Sequence, residues 1–392
     1  MPDKLSIRII CCLLSTVILY SCGKKNETAE IKTGKFIYPS TNDSLFEIYH
    51  DQSIHDTIRL NALYLISINY LSEKNDSSLI TGQRLFNEAS QLKSDMAKSD
   101  ALSVCGAYYL NQGEKDTALL LMQLALELRL KLNNYGKNGD SYHRIGEYYA
   151  KELHTDSALF YYKKAAKEYE NASDTTGIAR ENNKIGNIYL ILSDYDMAIV
   201  YYRSAGSYYS KMSDLRGLGI SFVALGNAYY MKSDYRKSLD NYLKGLAVNE
   251  KLKDKTYSAA ILSNIGVVYL DLGDYKEAIK YVKKSMNLEI ELENKSGVAS
   301  CYTNLGIIYK NLNDYNSALI FLNDALKIYS ELDATYDIAQ TNLSIGNVLI
   351  QKKEYDEALK FELMALPVFE EAGSKHYMAI ANCNIAEIYL AQ

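Results

Sequence analysis

Asparagine side chains recur at two positions of a repeating pattern, and among the residues of this 392-residue sequence they are the ones best suited to binding chemistry. A primary amide both donates and accepts hydrogen bonds, so it can hold a peptide backbone whatever side chains the peptide carries. Each amide lies two residues before, or one residue after, a glycine position that returns every 40 residues. The candidates for binding an extended peptide are Asn187, Asn227, Asn264, Asn304 and Asn347, together with the nearby Arg180, Lys184 and Tyr230.

The alternative interpretation is that asparagine is simply tolerated on a hydrated helix face. The sequence also divides these positions by chemistry. The amino-terminal ones are charged: Asp140, His143, Arg144, Glu147, Arg180 and Lys184. From 219 onward, amides alternate with apolar residues such as Val223, Val267 and Ile307. We therefore expect the main peptide contact at 219–337, with Asn227, Asn264 and Asn304 exposed to the partner.

Catalytic and metal-binding patterns are missing from the sequence. The five histidines have no metal-ligand spacing, and no nucleophile elbow, phosphate-binding loop or dinucleotide glycine run occurs. Cys105, Cys301 and Cys383 form no CxxC pair and are predicted to be small core residues. The sequence predicts no catalytic residues, no metal site, no cofactor and no enzymatic activity.

Cys22 is the one cysteine with predicted chemistry. Lys4 and Arg8 precede the 12-residue apolar run 9–20, which is too short to cross a bilayer. The run ends in Leu-Tyr-Ser-Cys at 19–22, which resembles the lipobox of bacterial lipoproteins. This predicts a signal peptide at 1–21, lipidation of Cys22, a flexible tether at 22–43 and a cell-envelope location, lipid-anchored to the membrane and facing the periplasm. A plain signal peptide or an uncleaved anchor is the alternative.

The glycine is part of a repeat that must position the amides. Tyr269 and Ala278 follow Gly266 by three and twelve residues, and all three positions recur with the 40-residue period. The glycine recurs as Gly106, Gly146, Gly186, Gly226, Gly306 and Gly346. A fixed period of this length indicates a stack of identical supersecondary units.

Each unit contains two helical patterns separated by an acidic residue suited to cap the second helix. Asp274 is that residue in the unit of Gly266, and apolar positions at i, i+3 and i+4 follow it. The small residues Gly266 and Ala278 predict a close crossing of the two helices.

The spacing Gly-x2-Tyr followed by alanine resembles the tetratricopeptide repeat. The units differ from the common 34-residue form in having 40 residues and no tryptophan, and they resemble the longer variants of kinesin light chains and bacterial sensors, including those of Bacteroidetes. The resemblance implies an all-α, right-handed α-solenoid of about eight helix–turn–helix units plus a terminal helix. It assigns 44–98 to a capping helix and a degenerate first repeat and 99–392 to the array, with the amides on the concave face.

The net charge of −5 and a pI near 5.7, with no basic run, argue against nucleic-acid partners. We therefore expect a membrane-anchored scaffold that binds a protein or peptide partner in its concave groove. The alternative is a truncated sensory region of a histidine kinase or helix-turn-helix regulator, because the pattern ends after one helix of a unit.

Overall fold

Residues 41–73 and 75–392 are described by the computed structural model, and they form 18 helices and no strand. The predicted signal peptide, Cys22 and residues 22–40 of the predicted tether lie outside this described part. The helices are α1 (Asn42–His50), α2 (Asp56–Ser72), α3 (Ser77–Gln91), α4 (Asp95–Asn111), α5 (Lys115–Lys131), α6 (Tyr135–Lys151), α7 (Thr155–Asn171), α8 (Thr175–Ile191), α9 (Tyr195–Lys211), α10 (Leu215–Met231), α11 (Tyr235–Leu252), α12 (Lys255–Asp271), α13 (Tyr275–Glu291), α14 (Lys295–Asn311), α15 (Tyr315–Glu331), α16 (Thr335–Gln351), α17 (Tyr355–Glu371) and α18 (Lys375–Ala391).

Eight helical hairpins follow α1, from α2–α3 to α16–α17, and α18 stands after the last of them. From α4 onward each helix has 17 residues, except α11 with 18, and short turns complete the 40-residue period. The predicted all-α fold of about eight helix–turn–helix units plus a terminal helix is confirmed.

The two helices of a hairpin approach closely at the recurring glycine. A Cβ atom placed on Gly266 of α12 would lie 2.7 Å from Cγ2 of Val282 on α13. Ala278 and Val282 are fully buried at this crossing. The small residues are therefore where the sequence predicts them, and no larger side chain fits without displacing its neighbour.

Side-chain caps fix where most helices begin. The Asp274 carboxylate accepts a hydrogen bond from the backbone N–H of Glu277, and Asp194, Asp234 and Asp314 cap α9, α11 and α15 in the same way. This satisfies one of the backbone donors that every helix leaves free at its amino terminus. Glu354 holds the same position before α17, but its side chain makes no capping hydrogen bond.

Helix α1 covers the first hairpin. Its residues Leu45 and Tyr49 are buried in one cluster with Leu60 and Leu63 of α2. The helix begins at Asn42, inside the last two residues of the predicted tether. Helix α4 begins at Asp95, four residues before the predicted start of the array.

The described chain divides into two compact parts, residues 41–217 and 218–392. We call them the amino-terminal part and the carboxy-terminal part, and each is described by itself.

Candidate functional site

Asn264 of the carboxy-terminal part is buried without a hydrogen-bond partner. It lies in the middle of α12, two residues before Gly266, and only 3% of it is exposed. Neither Nδ2 nor Oδ1 forms a hydrogen bond within the described structure. Most buried polar side-chain atoms in proteins are paired, so this amide calls for an explanation.

The other two predicted contacts of this part already have partners. Asn227 accepts a hydrogen bond from the Tyr242 hydroxyl, and Asn304 donates to the Ser263 hydroxyl over 3.2 Å. Burial raises the pKa of Tyr242, so its phenol stays protonated and donates. Tyr230 donates to the carboxylate of Asp271.

These asparagines are not exposed, contrary to the sequence-based expectation. Asn227 and Asn304 are each 4% exposed, nearly as little as Asn264. The reason is that these side chains lie against neighbouring helices: Asn227 meets Tyr242 of α11, and Asn304 meets Ser263 of α12. The assignment of these residues to peptide binding is a separate matter and stays a prediction.

The repeat itself explains why Asn264 differs from Asn304. The partner of Asn304 is Ser263, which precedes it by 41 residues. The residue 41 positions before Asn264 is Val223, which is 4% exposed and has no hydroxyl. One substitution in the repeat therefore removes the hydrogen-bond partner of the Asn264 amide.

A small cavity opens farther along the same part, near Asn347. Its volume of about 10 Å³ is enough for a single water molecule. The Asn347 amide donates to the Leu343 carbonyl of its own helix over 3.0 Å. The cavity is lined by Gly306, Ile307, Lys310, Leu322, Ser344, Asn347 and Val348.

In the amino-terminal part the predicted site residues are all bonded to neighbours. Asn187 accepts a hydrogen bond of 2.6 Å from Tyr202. Lys184 donates to Glu147 over 2.9 Å, and Arg180 donates to Glu181 over 3.0 Å.

His143 lies at the centre of this charged cluster. Its ring nitrogens face Glu181 and Glu147. Burial by itself would lower the His143 pKa, but the two carboxylates outweigh burial and raise the pKa above 6.5. Burial would likewise raise the Glu147 pKa, but His143 and Lys184 outweigh it and hold that pKa well below 4.5.

Glu181 is fully buried and is not among the site residues that the sequence predicts. A signal was present in the repeat. The same position in other units holds a small or apolar residue, and a carboxylate there predicts a buried ion pair. Those residues are Ala101, Ser141, Ser221, Ile261, Cys301, Thr341 and Ala381.

Two of the three cysteines in the described part are where the sequence predicts them. Cys105 and Cys301 are buried, and burial raises the pKa of each thiol to about 11. Cys383 is exposed on α18, so its prediction as a core residue is wrong. In earlier units the residue at this position faces the first helix of the next unit, as His143 and Ser263 do, and the described residues hold no helix after α18.

Within residues 41–73 and 75–392, no group of three or more histidine, cysteine or acidic residues could hold a metal ion. No helix of the same residues combines the length and the apolar character needed to cross a membrane.

Comparison with known families identifies tetratricopeptide repeats in two segments. Residues 182–211 and 257–331 match tetratricopeptide repeat profiles. The chain therefore contains tetratricopeptide repeats, as the Gly-x2-Tyr spacing predicts. Comparison of the sequence with curated proteins gives no match.

Solved structures share the fold. The apo form of RapI is 15% identical with a TM-score of 0.64, and the match covers 85% of this chain and 97% of that one. A Rap protein complexed with Competence and Sporulation Factor is 16% identical with a TM-score of 0.52, covering 84% and 97%. A tetratricopeptide repeat protein from Parabacteroides merdae is 15% identical with a TM-score of 0.55, covering 74% and 98%. At these identities the likeness establishes the fold alone.

Proposed function

We propose that this protein is a non-enzymatic tetratricopeptide repeat scaffold of the bacterial cell envelope that binds an extended peptide or a helix of a partner protein. The observation that carries the proposal is the buried amide of Asn264, which has no hydrogen-bond partner. Support of a general kind comes from the fold, since one similar structure is a Rap protein complexed with Competence and Sporulation Factor.

The energetic argument concerns the cost of the Asn264 amide. A buried polar group without a partner costs about 1–3 kcal/mol of stability. A leucine of similar size at this position would avoid that cost. A ligand that both donates to Oδ1 and accepts from Nδ2 would remove the cost on binding.

A peptide backbone fits that requirement, because each residue other than proline offers one N–H and one C=O. Asn227 and Asn304 already use one amide atom each, for Tyr242 and Ser263. We therefore assign the principal backbone contact to Asn264 and a secondary role to the other two. Both amide atoms of Asn264 are covered, so binding requires a rotamer change toward the concave face.

The location is proposed from the sequence. The apolar run 9–20 followed by Ser21 and Cys22 supports lipidation of Cys22 and anchoring to the membrane. No observation on the described residues favours the alternative of a sensory region of a kinase or regulator.

The test compares peptide binding by matched variants. Peptides selected by the wild-type protein from a random displayed 12-residue library are titrated against wild type, Asn264→Leu and Asn323→Leu. Asn323 is an exposed asparagine of α15 that bonds the Leu319 carbonyl of its own helix, so it serves as the control. We expect Asn264→Leu to weaken binding by about fivefold or more, the equivalent of one net hydrogen bond. The control should bind like wild type.

Urea denaturation separates a loss of binding from a loss of folding. We expect Asn264→Leu to unfold at the same or a higher urea concentration than wild type, because an unpaired buried amide is removed. Equal affinity of Asn264→Leu and wild type for the selected peptides would contradict the site. Failure of the wild type to select any peptide would contradict peptide binding.

A further inference from the structure

His143 faces a carboxylate on each side, and the two carboxylates belong to different helices. Its Nδ1 lies 2.9 Å from Oε1 of Glu181 on α8. Its Nε2 lies 3.5 Å from Oε1 of Glu147, one turn farther along α6. We call this arrangement the His143 bridge. It links α6 to α8, the first helices of two successive units.

Both ring nitrogens need a proton in this arrangement. A neutral imidazole has one N–H, and its other nitrogen presents a lone pair. A neutral ring can therefore donate to only one of the two carboxylates, and whichever tautomer it adopts, its lone pair faces the other carboxylate, which is unfavourable where little water screens the two groups. The geometry therefore suits the imidazolium form.

Each carboxylate of the bridge also contacts a second cation. Arg180 bonds Glu181, and Lys184 bonds Glu147, so each carboxylate keeps one cation if the histidine is neutral. The Tyr162 ring lies 6.0 Å from the imidazole, between centroids. Further ionisable groups on the neighbouring helices include Asp100 of α4 and Arg129 of α5, which pair with each other, Lys137, Asp140 and Arg144 of α6, and Tyr169 of α7.

We propose that the His143 bridge is a pH-sensitive contact: the protonated ring holds α6 against α8 by donating to both carboxylates, and the neutral ring, which has lost its charge and one N–H, weakens the contact and loosens the packing of these two helices. This inference does not depend on the proposed function, because it concerns α6 and α8 rather than the Asn264 site.

The direction of the pH effect follows from linkage. The pKa of His143 is higher in the folded protein than its ordinary value of 6.5. Its stabilising contribution is therefore complete below pH 6.5 and disappears as the pH rises through the folded-state pKa. The pKa of Glu147 is lower than its ordinary 4.5, so its contribution is present above pH 4.5 and is lost as the pH falls through the folded-state pKa. Both contributions are therefore complete between pH 4.5 and pH 6.5, where the bridge is strongest.

Nuclear magnetic resonance of the full chain with ¹³C-labelled histidine measures the first consequence. We expect the His143 ring to titrate with a midpoint above 6.5. Glu181→Gln keeps the side-chain shape but removes the charge, and it should lower that midpoint. His154, an exposed histidine, provides the control, since His154→Gln should leave the His143 midpoint unchanged.

Hydrogen exchange tests whether the helices respond. With rates corrected for intrinsic exchange, wild-type α6 and α8 should lose protection as the pH rises from 6 through the His143 midpoint. The loss should be about tenfold for each pH unit by which the midpoint exceeds 6.5. The change should be absent in His143→Gln and present in His154→Gln.

Two results would overturn the proposal. One is a wild-type His143 midpoint at or below 6.5. The other is a raised midpoint with no pH-dependent loss of protection in α6 and α8, since the bridge would then be an ion pair without conformational effect. Both measurements use the wild-type chain, so they decide the matter even if a variant fails to fold.

Discussion

Among single residues, the glycine at each helix crossing is constant, whereas the residue that faces it varies among the units. The position sixteen residues after the glycine fills the crossing and holds Met122, Tyr162, Tyr202, Tyr242, Val282, Leu322 and Glu362. The missing side chain is thus the constant feature, and the opposing residue varies in size and polarity. The close approach of the two helix backbones is therefore what each unit requires.

Substitution of Gly266 tests this requirement. Gly266→Ala should lower the free energy of unfolding by about 1–3 kcal/mol, because the new Cβ would overlap Cγ2 of the β-branched Val282, whose side chain has little freedom to move. Urea denaturation followed by circular dichroism measures the change.

Gly136→Ala is the matched control for that prediction. A Cβ there would meet only Oδ1 of Asn134, at 3.7 Å, so the substitution should stabilise α6 by about 0.5–1 kcal/mol. Adding Val282→Ala to Gly266→Ala should recover part of the loss by making room. Similar effects of the two glycine substitutions would show that the crossing is not tightly packed.

Among helices and turns, the short turns between helices require a residue with an unusual backbone conformation. One turn residue adopts the left-handed conformation, and in most units that residue is not glycine. Leu153, between α6 and α7, has a φ of 59° and is 77% exposed. The turn is closed by the His154 N–H, which donates to the Tyr149 carbonyl over 2.9 Å.

Leu153→Gly should raise the free energy of unfolding by about 1 kcal/mol. Glycine adopts a positive φ without the steric cost that a Cβ incurs, and the exposed leucine side chain contributes little burial. The measurement is the thermal and urea stability of the full chain. Leu153→Ala removes the same side chain but keeps the Cβ, so it should not produce the gain. An equal gain for both variants would assign the effect to surface chemistry rather than to the backbone.

At the scale of the whole molecule, the sequence links a repeat array to a predicted lipid anchor. We expect Cys22→Ser to move the protein from the membrane fraction to the soluble periplasmic fraction, because the 12-residue apolar run is too short to span a bilayer alone. Cell fractionation and labelling with a fatty-acid probe measure the two effects.

Cys12→Ser is the control for the anchor, since it removes a cysteine inside the apolar run and leaves Cys22 in place. It should remain labelled and in the membrane fraction. Labelling of Cys22→Ser at the wild-type level would exclude lipidation at Cys22.

The fold could be predicted because its determinants are local and repeated. Asp274 caps the helix that starts one residue later, and Gly266 and Ala278 belong to one hairpin. Each such signal lies within the same hairpin as the structure it specifies, and it recurs in successive units with the 40-residue period. The sequence alone therefore determined the helices, most of their caps and the close crossings.

The candidate site could be predicted only in part, because its chemistry depends on residues one unit away. Asn264 and Asn304 occupy the same position of the repeat, but the side chain 41 positions earlier is Ser263 for Asn304, which is bonded to it, and Val223 for Asn264, which is not bonded. Glu181 likewise has a partner, His143, that lies on another helix. Tertiary structure alone decided which amides are buried and which lack a partner, because hydrogen bonding and burial are properties of the packed neighbours and not of helical period.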